Sequence, residues 1–246
     1  HLIKNGLSLV LRKFIEEGYV THLATNGAGS IHDWEIAYNG QTEEDVEENV
    51  SKGMFGTWDE IGKYINLSII QGAKNSLGYG ESIGQMIHDE QLTINNEVNR
   101  LPHPFKEYSI QESAYKNNII FTVHPGYGYD IIYTHPQTDG ASIGIVSEID
   151  FLRFVNSVYN LQGGVYISIG SAIMSPMIFE KSLSMARNVA LQGGKKIEDF
   201  MIVVNDIKGN SWDFSSNSEP GKDNPAYYER FLKTFKRMGS KELIYV

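Results

Sequence analysis

The sequence predicts an α/β protein with an open parallel sheet and helices on both faces. Short apolar runs alternate along the chain with amphipathic segments that are long enough to form helices. Several of these runs end in glycine-rich polar turns, and the first such turn, residues 25–33, follows the apolar run of residues 19–24. Because open α/β sheets bind ligands at the carboxyl ends of their strands, these turns are the first candidates for a functional site.

The first half of the chain is predicted to be mainly helical. An apolar stripe predicts a first helix within residues 2–17, with Ser8 as its N-cap, and residues 19–24 form a buried strand. Thr42 followed by acidic residues predicts a helix start. A further helix covers residues 59–73. The glycines of residues 78–84 lie between helical segments and are interpreted as a helix–helix contact, and residues 92–104 as a loop.

The second half alternates strands and helices more regularly. Predicted strands cover residues 119–123, 164–169, 200–206 and 243–246. Predicted helices cover residues 108–117 (with Ser109 as a cap), 150–159, 176–191 and 225–236. Residues 208–224 form a long polar loop. This alternation is typical of a parallel sheet built from strand–helix–strand units.

Composition narrows the function classes. The 246 residues allow one large domain or two small ones, and the net charge of -9 argues against a nucleic-acid partner. The absence of cysteine excludes disulfides and thiolate chemistry and weakly favours a reducing cytosol, so we expect a cytoplasmic protein. No apolar run approaches the ~20 residues that cross a bilayer, and no signal peptide is visible. We expect one domain over residues 1–246, lacking an upstream segment.

The turn of residues 25–33 is interpreted as a ligand contact. Gly27 and Gly29 allow a phosphate or ribose to approach the backbone, and the following helix N-terminus supplies free N–H groups. A purely structural turn is the alternative, but such a turn does not require Asn26, His32 and Asp33 together.

Further candidates follow at other turns. His124 and Asp130 bracket a second glycine-rich strand end, where a second ligand contact is expected. Asp139 lies in a Thr-Asp-Gly turn, where its carboxylate either accepts hydrogen bonds from a ribose diol or forms an Asx turn. Lys233 lies beside large apolar residues, which suits imine formation, although such a lysine is more often a surface residue. His32, Asp33, His124 and His135 lack the spacing of a helical zinc motif, and no metal is predicted.

Taken in chain order, these pieces resemble the deoxyhypusine synthase family. The resemblance rests on the glycine-rich turn of residues 25–33, on the Thr-Asp-Gly stretch of residues 138–144, and on the glycine turn of residues 170–173. It also rests on the eight-residue spacing between Pro225 and Lys233. Each motif is short, and the ordered set carries the resemblance.

The resemblance implies a Rossmann-like, NAD-binding domain in a homo-oligomer, a dimer or tetramer, with active sites between subunits. It implies that Lys233 is the imine-forming nucleophile. The residues expected to contact NAD are Thr25, Asn26, Gly27, Gly29, His32, Asp33, Asp139, Gly170 and Ser171. Those expected to contact the substrate, a small amine or amino acid, are His124, Asp130, Tyr227 and Phe231.

The sequence departs from the family where amine-pairing acids are expected. Tyr227 stands in place of an acid, and residues 175–177 replace expected histidines. We therefore predict an NAD-dependent transferase that moves an aminoalkyl group through a lysine imine, with an altered substrate. Two alternatives stay open: an NAD-dependent lyase resembling amino-acid cyclodeaminases, and an NAD-binding module without turnover.

Overall fold

The computed structural model describes residues 2–207, 212–213 and 218–246, apart from the side chains of residues 230–232. Contacts divide the chain into two compact units, residues 1–153 and 154–246. The described residues form a mixed α/β structure with small parallel sheets and helices. The α/β class predicted from the sequence is therefore confirmed.

The first unit combines helices with one parallel and one antiparallel strand pair. Its helices are α1 (Ser8–Glu16), α2 (Gly27–Asn39), α3 (Val46–Ser51), α4 (Asp59–Lys74), α5 (Tyr79–Asp89) and α6 (Ile110–Lys116). Its strands are β1 (His22–Asn26), β2 (Gln91–Ile94), β3 (Glu97–Arg100) and β4 (Ile120–His124). Helix α7 (Gly140–Tyr159) contains the division between the units. Strands β1 and β4 pair in parallel, and β2 and β3 pair antiparallel.

The predicted turn of residues 25–33 is wrong in its extent. Strand β1 continues to Asn26, and α2 begins directly at Gly27. The Asn26 side chain accepts a hydrogen bond from the Gly29 N–H at 2.9 Å, which caps the helix and removes the need for a longer turn. The prediction of Ser8 as the N-cap of α1 is also wrong. The N-cap is Leu7, whose side chain forms no capping hydrogen bond.

Two more boundaries differ from the prediction. The predicted loop of residues 92–104 contains the β2–β3 hairpin, whose turn places Asn95 and Asn96 at φ 53° and 65°. Asparagine tolerates this left-handed conformation, which the favoured two-residue hairpin turn requires. Helix α3 begins at Val46 rather than near Thr42, because Asp45 caps it by accepting from the Glu48 N–H.

The core of the first unit forms where α2, α4 and α5 meet. Trp34, Ile65 and Tyr79 are among its largest fully buried side chains. The predicted helix contact at residues 78–84 is confirmed: a Cβ on Gly84 would lie 2.7 Å from the Gln111 carbonyl oxygen of α6. Glycine there allows α5 and α6 to pack closely.

The second unit contains a three-stranded parallel sheet. Its strands β5 (Val165–Ile169), β6 (Met201–Asn205) and β7 (Glu242–Tyr245) lie in that order. Helix α8 (Met174–Gln192) connects β5 to β6, and α9 (Arg230–Arg237) precedes β7. Phe179, Phe200 and Phe235 fill its core.

Two helix starts in this part of the chain were predicted wrongly. Helix α7 begins at Gly140, ten residues before the predicted start at residue 150, because Asp139 caps it there. The predicted helix of residues 225–236 is a short 3-10 turn, Pro225–Tyr228, followed by α9.

Candidate functional site

The ends of β1 and β4 bring the first two predicted ligand turns together. In the parallel register Asn26 lies opposite His124, so α2 begins beside the loop that follows β4. This edge is the carboxyl end of both strands, where open α/β sheets carry their ligands. Thr25, Asn26, Gly27, Gly29, His124 and Asp130 all lie at this edge or directly after it.

Gly27 and Gly29 allow two side chains to approach the start of α2. A Cβ on Gly27 would overlap the Asp130 carboxylate, and a Cβ on Gly29 would overlap the Thr25 hydroxyl. Asp130 is only 6% exposed and accepts a hydrogen bond from the Gly126 N–H at 2.8 Å. Burial raises the pKa of its carboxyl above the ordinary value. The end of the sheet therefore holds a buried carboxyl beside a helix N-terminus.

Replacing Gly27 with alanine should destabilise the first unit by about 1–3 kcal/mol, because the new methyl group would displace the Asp130 carboxylate. Urea denaturation measures this free energy of unfolding. Gly144→Ala is the matched control: Gly144 is an exposed position of α7 with open space around it, where alanine should stabilise by up to about 1 kcal/mol. Equal stability of Gly27→Ala and wild type would contradict the close packing of Asp130.

Two histidines share one hydroxyl on a face of the β1–β4 pair. The buried Thr122 hydroxyl lies 2.8 Å from His22 Nε2 and 3.1 Å from His124 Nε2. Burial lowers the pKa of His22 to about 3 and that of His124 to about 4, so both rings are neutral at pH 7. Because a hydroxyl donates one proton, at least one of the two rings carries its proton at Nε2 and donates to Thr122. His124 is thus positioned at the end of β4 as a neutral group that can donate or accept.

Asp33 and His32 have partners within the first unit. Both Asp33 oxygens anchor the start of α6: they accept hydrogen bonds from the Ser109 hydroxyl at 2.6 Å and from the Ile110 N–H at 2.8 Å, and two more from Gln111. Burial raises the pKa of this carboxyl. His32 Nδ1 lies 2.5 Å from the Thr42 hydroxyl, on a partly exposed part of α2. The geometry therefore gives Asp33 a helix-capping role.

Asp139 caps the long helix α7. Its Oδ2 accepts hydrogen bonds from the N–H and the hydroxyl of Ser142, and these bonds lower the pKa of the carboxyl. The local hydrogen bonding that an Asx turn predicts for Asp139 is thus present in the structure. The residue remains exposed, so its carboxylate is also accessible to a ligand.

In the second unit, Gly170 and Ser171 follow the end of β5. Gly170 has φ +57° and open space where a Cβ would stand, and its N–H donates to the Asn205 carbonyl at the end of β6. The Ser171 hydroxyl accepts from the Ser175 N–H at 3.1 Å, within the first turn of α8. This turn leaves room for a group to approach the backbone, as a bound nucleotide would require.

Lys233 and Tyr227 are brought together in the same unit. The Lys233 Nζ lies 3.8 Å from the centroid of the Tyr227 ring, where the negative face of the ring attracts an ammonium group. Lys233 is half-buried on the first turn of α9. The side chain of Phe231, predicted to contact the substrate, lies outside the described residues.

Sequence reasoning missed a buried carboxyl on α7. Asp150 is fully buried, and its Oδ2 accepts hydrogen bonds from the Gly80 N–H at 2.9 Å and the Val123 N–H at 2.8 Å. It lies four residues from both Val146 and Phe154, which are also buried. An acid at helical spacing within an apolar stripe was the available indication.

The two glycine turns differ in how well they fit a part of NAD. The open turn at Gly170 fits a phosphate or ribose, because neither a side chain nor a carboxylate occupies the space. The turn at Gly27 fits a hydroxyl or ammonium group better than a pyrophosphate, because the buried Asp130 carboxylate would repel an anion. The turn at Gly170 is therefore compatible with a phosphate or ribose of a nucleotide cofactor.

Comparisons with known proteins do not indicate a function for the chain. No protein-family model matches the chain, and no curated protein shows significant sequence similarity to it. Within the described part of the chain, no helix is both long and apolar enough to cross a membrane. No group of three metal-ligating side chains is found there either.

Proposed function

We propose that this protein is an NAD-dependent transferase that moves an aminoalkyl group through an imine on Lys233. The observation that carries the proposal is the position of Lys233, half-buried on α9 with its nitrogen 3.8 Å from the Tyr227 ring centroid. A surface lysine would extend into solvent, whereas this one is held in one place. A positioned lysine is what covalent catalysis on an amine substrate requires.

The chemistry balances with the groups proposed. NAD, when bound, would supply the acceptor for a hydride from the carbon beside the substrate's nitrogen, and would later return that hydride. The Lys233 nitrogen would attack this carbon, form a C=N bond and displace the first amine. An acceptor amine would then displace Lys233 and restore the free side chain. The Tyr227 ring would hold the lysine nitrogen, or the ammonium of the substrate, by its negative face.

The remaining predicted residues keep their roles within this proposal. In the second unit, Gly170 and Ser171 would hold a phosphate or ribose of the cofactor. In the first unit, Asn26 and Gly27 stay predicted cofactor contacts. His124 and Asp130 would contact the amine substrate. We further propose that the strands belong to a Rossmann-like arrangement and that the protein acts as a cytoplasmic homo-oligomer.

Calorimetric titration with NAD, followed by a substrate screen, tests the proposal. Polyamines and amino acids are each mixed with protein and NAD, and the products are identified by mass spectrometry, because the hydride returns to the product and reduced nicotinamide does not accumulate. Turnover with polyamines supports the transferase. Turnover with amino acids alone would favour a lyase, and NAD binding with no turnover a non-catalytic module. The absence of NAD binding would contradict all three.

A further inference from the structure

Tyr127 presents a fixed aromatic face beside the end of the first sheet. The side chain is 67% exposed, yet its ring stacks on that of Tyr133 with centroids 4.5 Å apart and planes 14° apart. A single exposed tyrosine needs no explanation. This one differs because one face of its ring is held by a second ring.

The supporting ring is itself anchored. The Tyr133 hydroxyl is buried, and burial and the neighbouring Asp130 carboxylate raise the pKa of this phenol above its ordinary value. Gly128, at φ +99°, allows the backbone to turn directly after Tyr127. The outer face of Tyr127 is therefore presented without the loss of side-chain entropy that a mobile tyrosine would pay on binding.

The Tyr127 ring approaches the start of α7. A Cβ on Gly140 would stand 3.9 Å from Cε2 and from the hydroxyl oxygen of Tyr127, so the ring approaches the first residue of α7. The residue before Gly140 is Asp139, whose side chain is exposed. The surface thus offers a flat π-system at the start of α7, where the exposed Asp139 directly precedes the glycine that the ring approaches.

We propose that Tyr127 and Asp139 bind an adenosine group, with the adenine stacked on the outer face of Tyr127 and the ribose diol donating to Asp139. Stacking on an aromatic ring suits any nucleobase, and the carboxylate selects a group with two vicinal hydroxyl donors. The carboxylate would repel phosphates, so the phosphate end of the ligand points away from α7. The assignment rests on the proposed function, because adenosine is one half of NAD, and it names the residues that recognise that half.

Titration of the protein with AMP tests the stacking. Tyr127→Ala should weaken AMP binding by about tenfold or more, since base stacking on an aromatic side chain contributes about 1–3 kcal/mol. Tyr127→Trp should retain binding, and quenching of its fluorescence by AMP should report the stack directly. Tyr129→Ala is the matched control: Tyr129 is 63% exposed on the same loop, and its ring lies over Gly126. Its AMP affinity should stay within about twofold of wild type.

The diol contact is tested with Asp139→Asn, in which asparagine still caps α7 as well as aspartate does. Wild type should bind adenosine more tightly than 2′,3′-dideoxyadenosine, and Asp139→Asn should lose that preference. The assignment is overturned if wild type shows no AMP binding, or if Tyr127→Ala binds AMP as well as Tyr129→Ala does.

Titrations with NAD separate this assignment from the proposed function. Undiminished NAD binding by Tyr127→Ala would overturn the adenosine site and leave the cofactor in place. AMP binding that depends on Tyr127, without any binding of NAD, would overturn the proposed function and leave the adenosine site in place.

Discussion

Lys233→Ala should abolish turnover while leaving NAD binding intact. The variant lacks the only atom that could form the proposed imine, so we expect a loss of at least about 10³-fold in kcat, as for other nucleophiles. Initial rates with the best amine of the screen measure this loss, and calorimetry with NAD measures the retained affinity. Unchanged turnover would remove the lysine mechanism even if NAD binds.

Lys236→Ala is the matched control for the nucleophile. Lys236 lies on the same helix, α9, and is half-buried like Lys233. Borohydride reduction during turnover should add the mass of the aminoalkyl group to wild type and to Lys236→Ala. It should add nothing to Lys233→Ala. An adduct on Lys233→Ala would place the covalent step on another residue.

The parallel strands could be predicted from the sequence because their apolar runs are local and continuous. β4 and β6 are each an uninterrupted run flanked by polar residues, and both predictions are confirmed. The start of α2 was mispredicted because two glycines suggested a turn. The capping side chain of Asn26 decided the boundary instead. The polar composition of residues 92–104 led to the prediction of a loop in place of the β2–β3 hairpin, although Asn95-Asn96 is a typical hairpin turn.

The site was less predictable than the strands because its contacts join distant parts of the chain. Gly27 and Asp130 are separated by 103 positions in the sequence, and no local pattern contains their contact. Asp33 was predicted as a ligand contact from its residue type. In the structure the Asp33 carboxylate accepts hydrogen bonds from the start of α6. These hydrogen bonds depend on how α2 packs against α6. Residue type therefore could not reveal the structural role of Asp33, and the predicted ligand contacts at this edge of the sheet stay predictions.

Asp150→Asn should remove the contribution of Asp150 to the pH dependence of stability between about pH 4 and pH 7. Relative to this variant, wild type should lose stability as the pH rises through this range, because the folded protein holds a proton on Asp150 that the unfolded chain releases. Asparagine stays neutral at every pH and keeps a carbonyl oxygen for the Gly80 and Val123 amides. Urea denaturation at several pH values between 4 and 8 measures the free energy of unfolding of both proteins.

The environment of Asp150 explains the sign of this effect. The carboxyl is fully buried, and its Oδ1 lies against Gly78 with no hydrogen-bond partner among the described residues. Burial raises its pKa to about 7, although the amides of Val123 and Gly80 and the nearby Arg153 oppose the rise. The folded-state pKa is thus above that of the unfolded chain. The stabilisation is complete below the unfolded-state pKa and is lost as the pH rises through about 7.

The size of the effect follows from the same shift. A rise from the ordinary value of 3.8 to about 7 is about three pKa units, and each unit corresponds to about 1.4 kcal/mol. Wild type should therefore lose about 4 kcal/mol relative to Asp150→Asn across this range. Other shifted groups, among them Asp33 and His124, contribute equally to both proteins, so the difference between the two curves isolates Asp150.

Glu148→Gln completes the test, because Glu148 is an exposed acid on the same helix, two residues before Asp150. Its stability should follow the wild-type curve at every pH, because the substitution leaves Asp150 and its two amide contacts in place. A wild-type slope retained by Asp150→Asn would show that the Asp150 carboxyl is ionised in the folded protein. The buried Asp150 side chain, which connects α7 to α5 and β4, would then be an ionised carboxylate that accepts from two amides, and not a neutral acid.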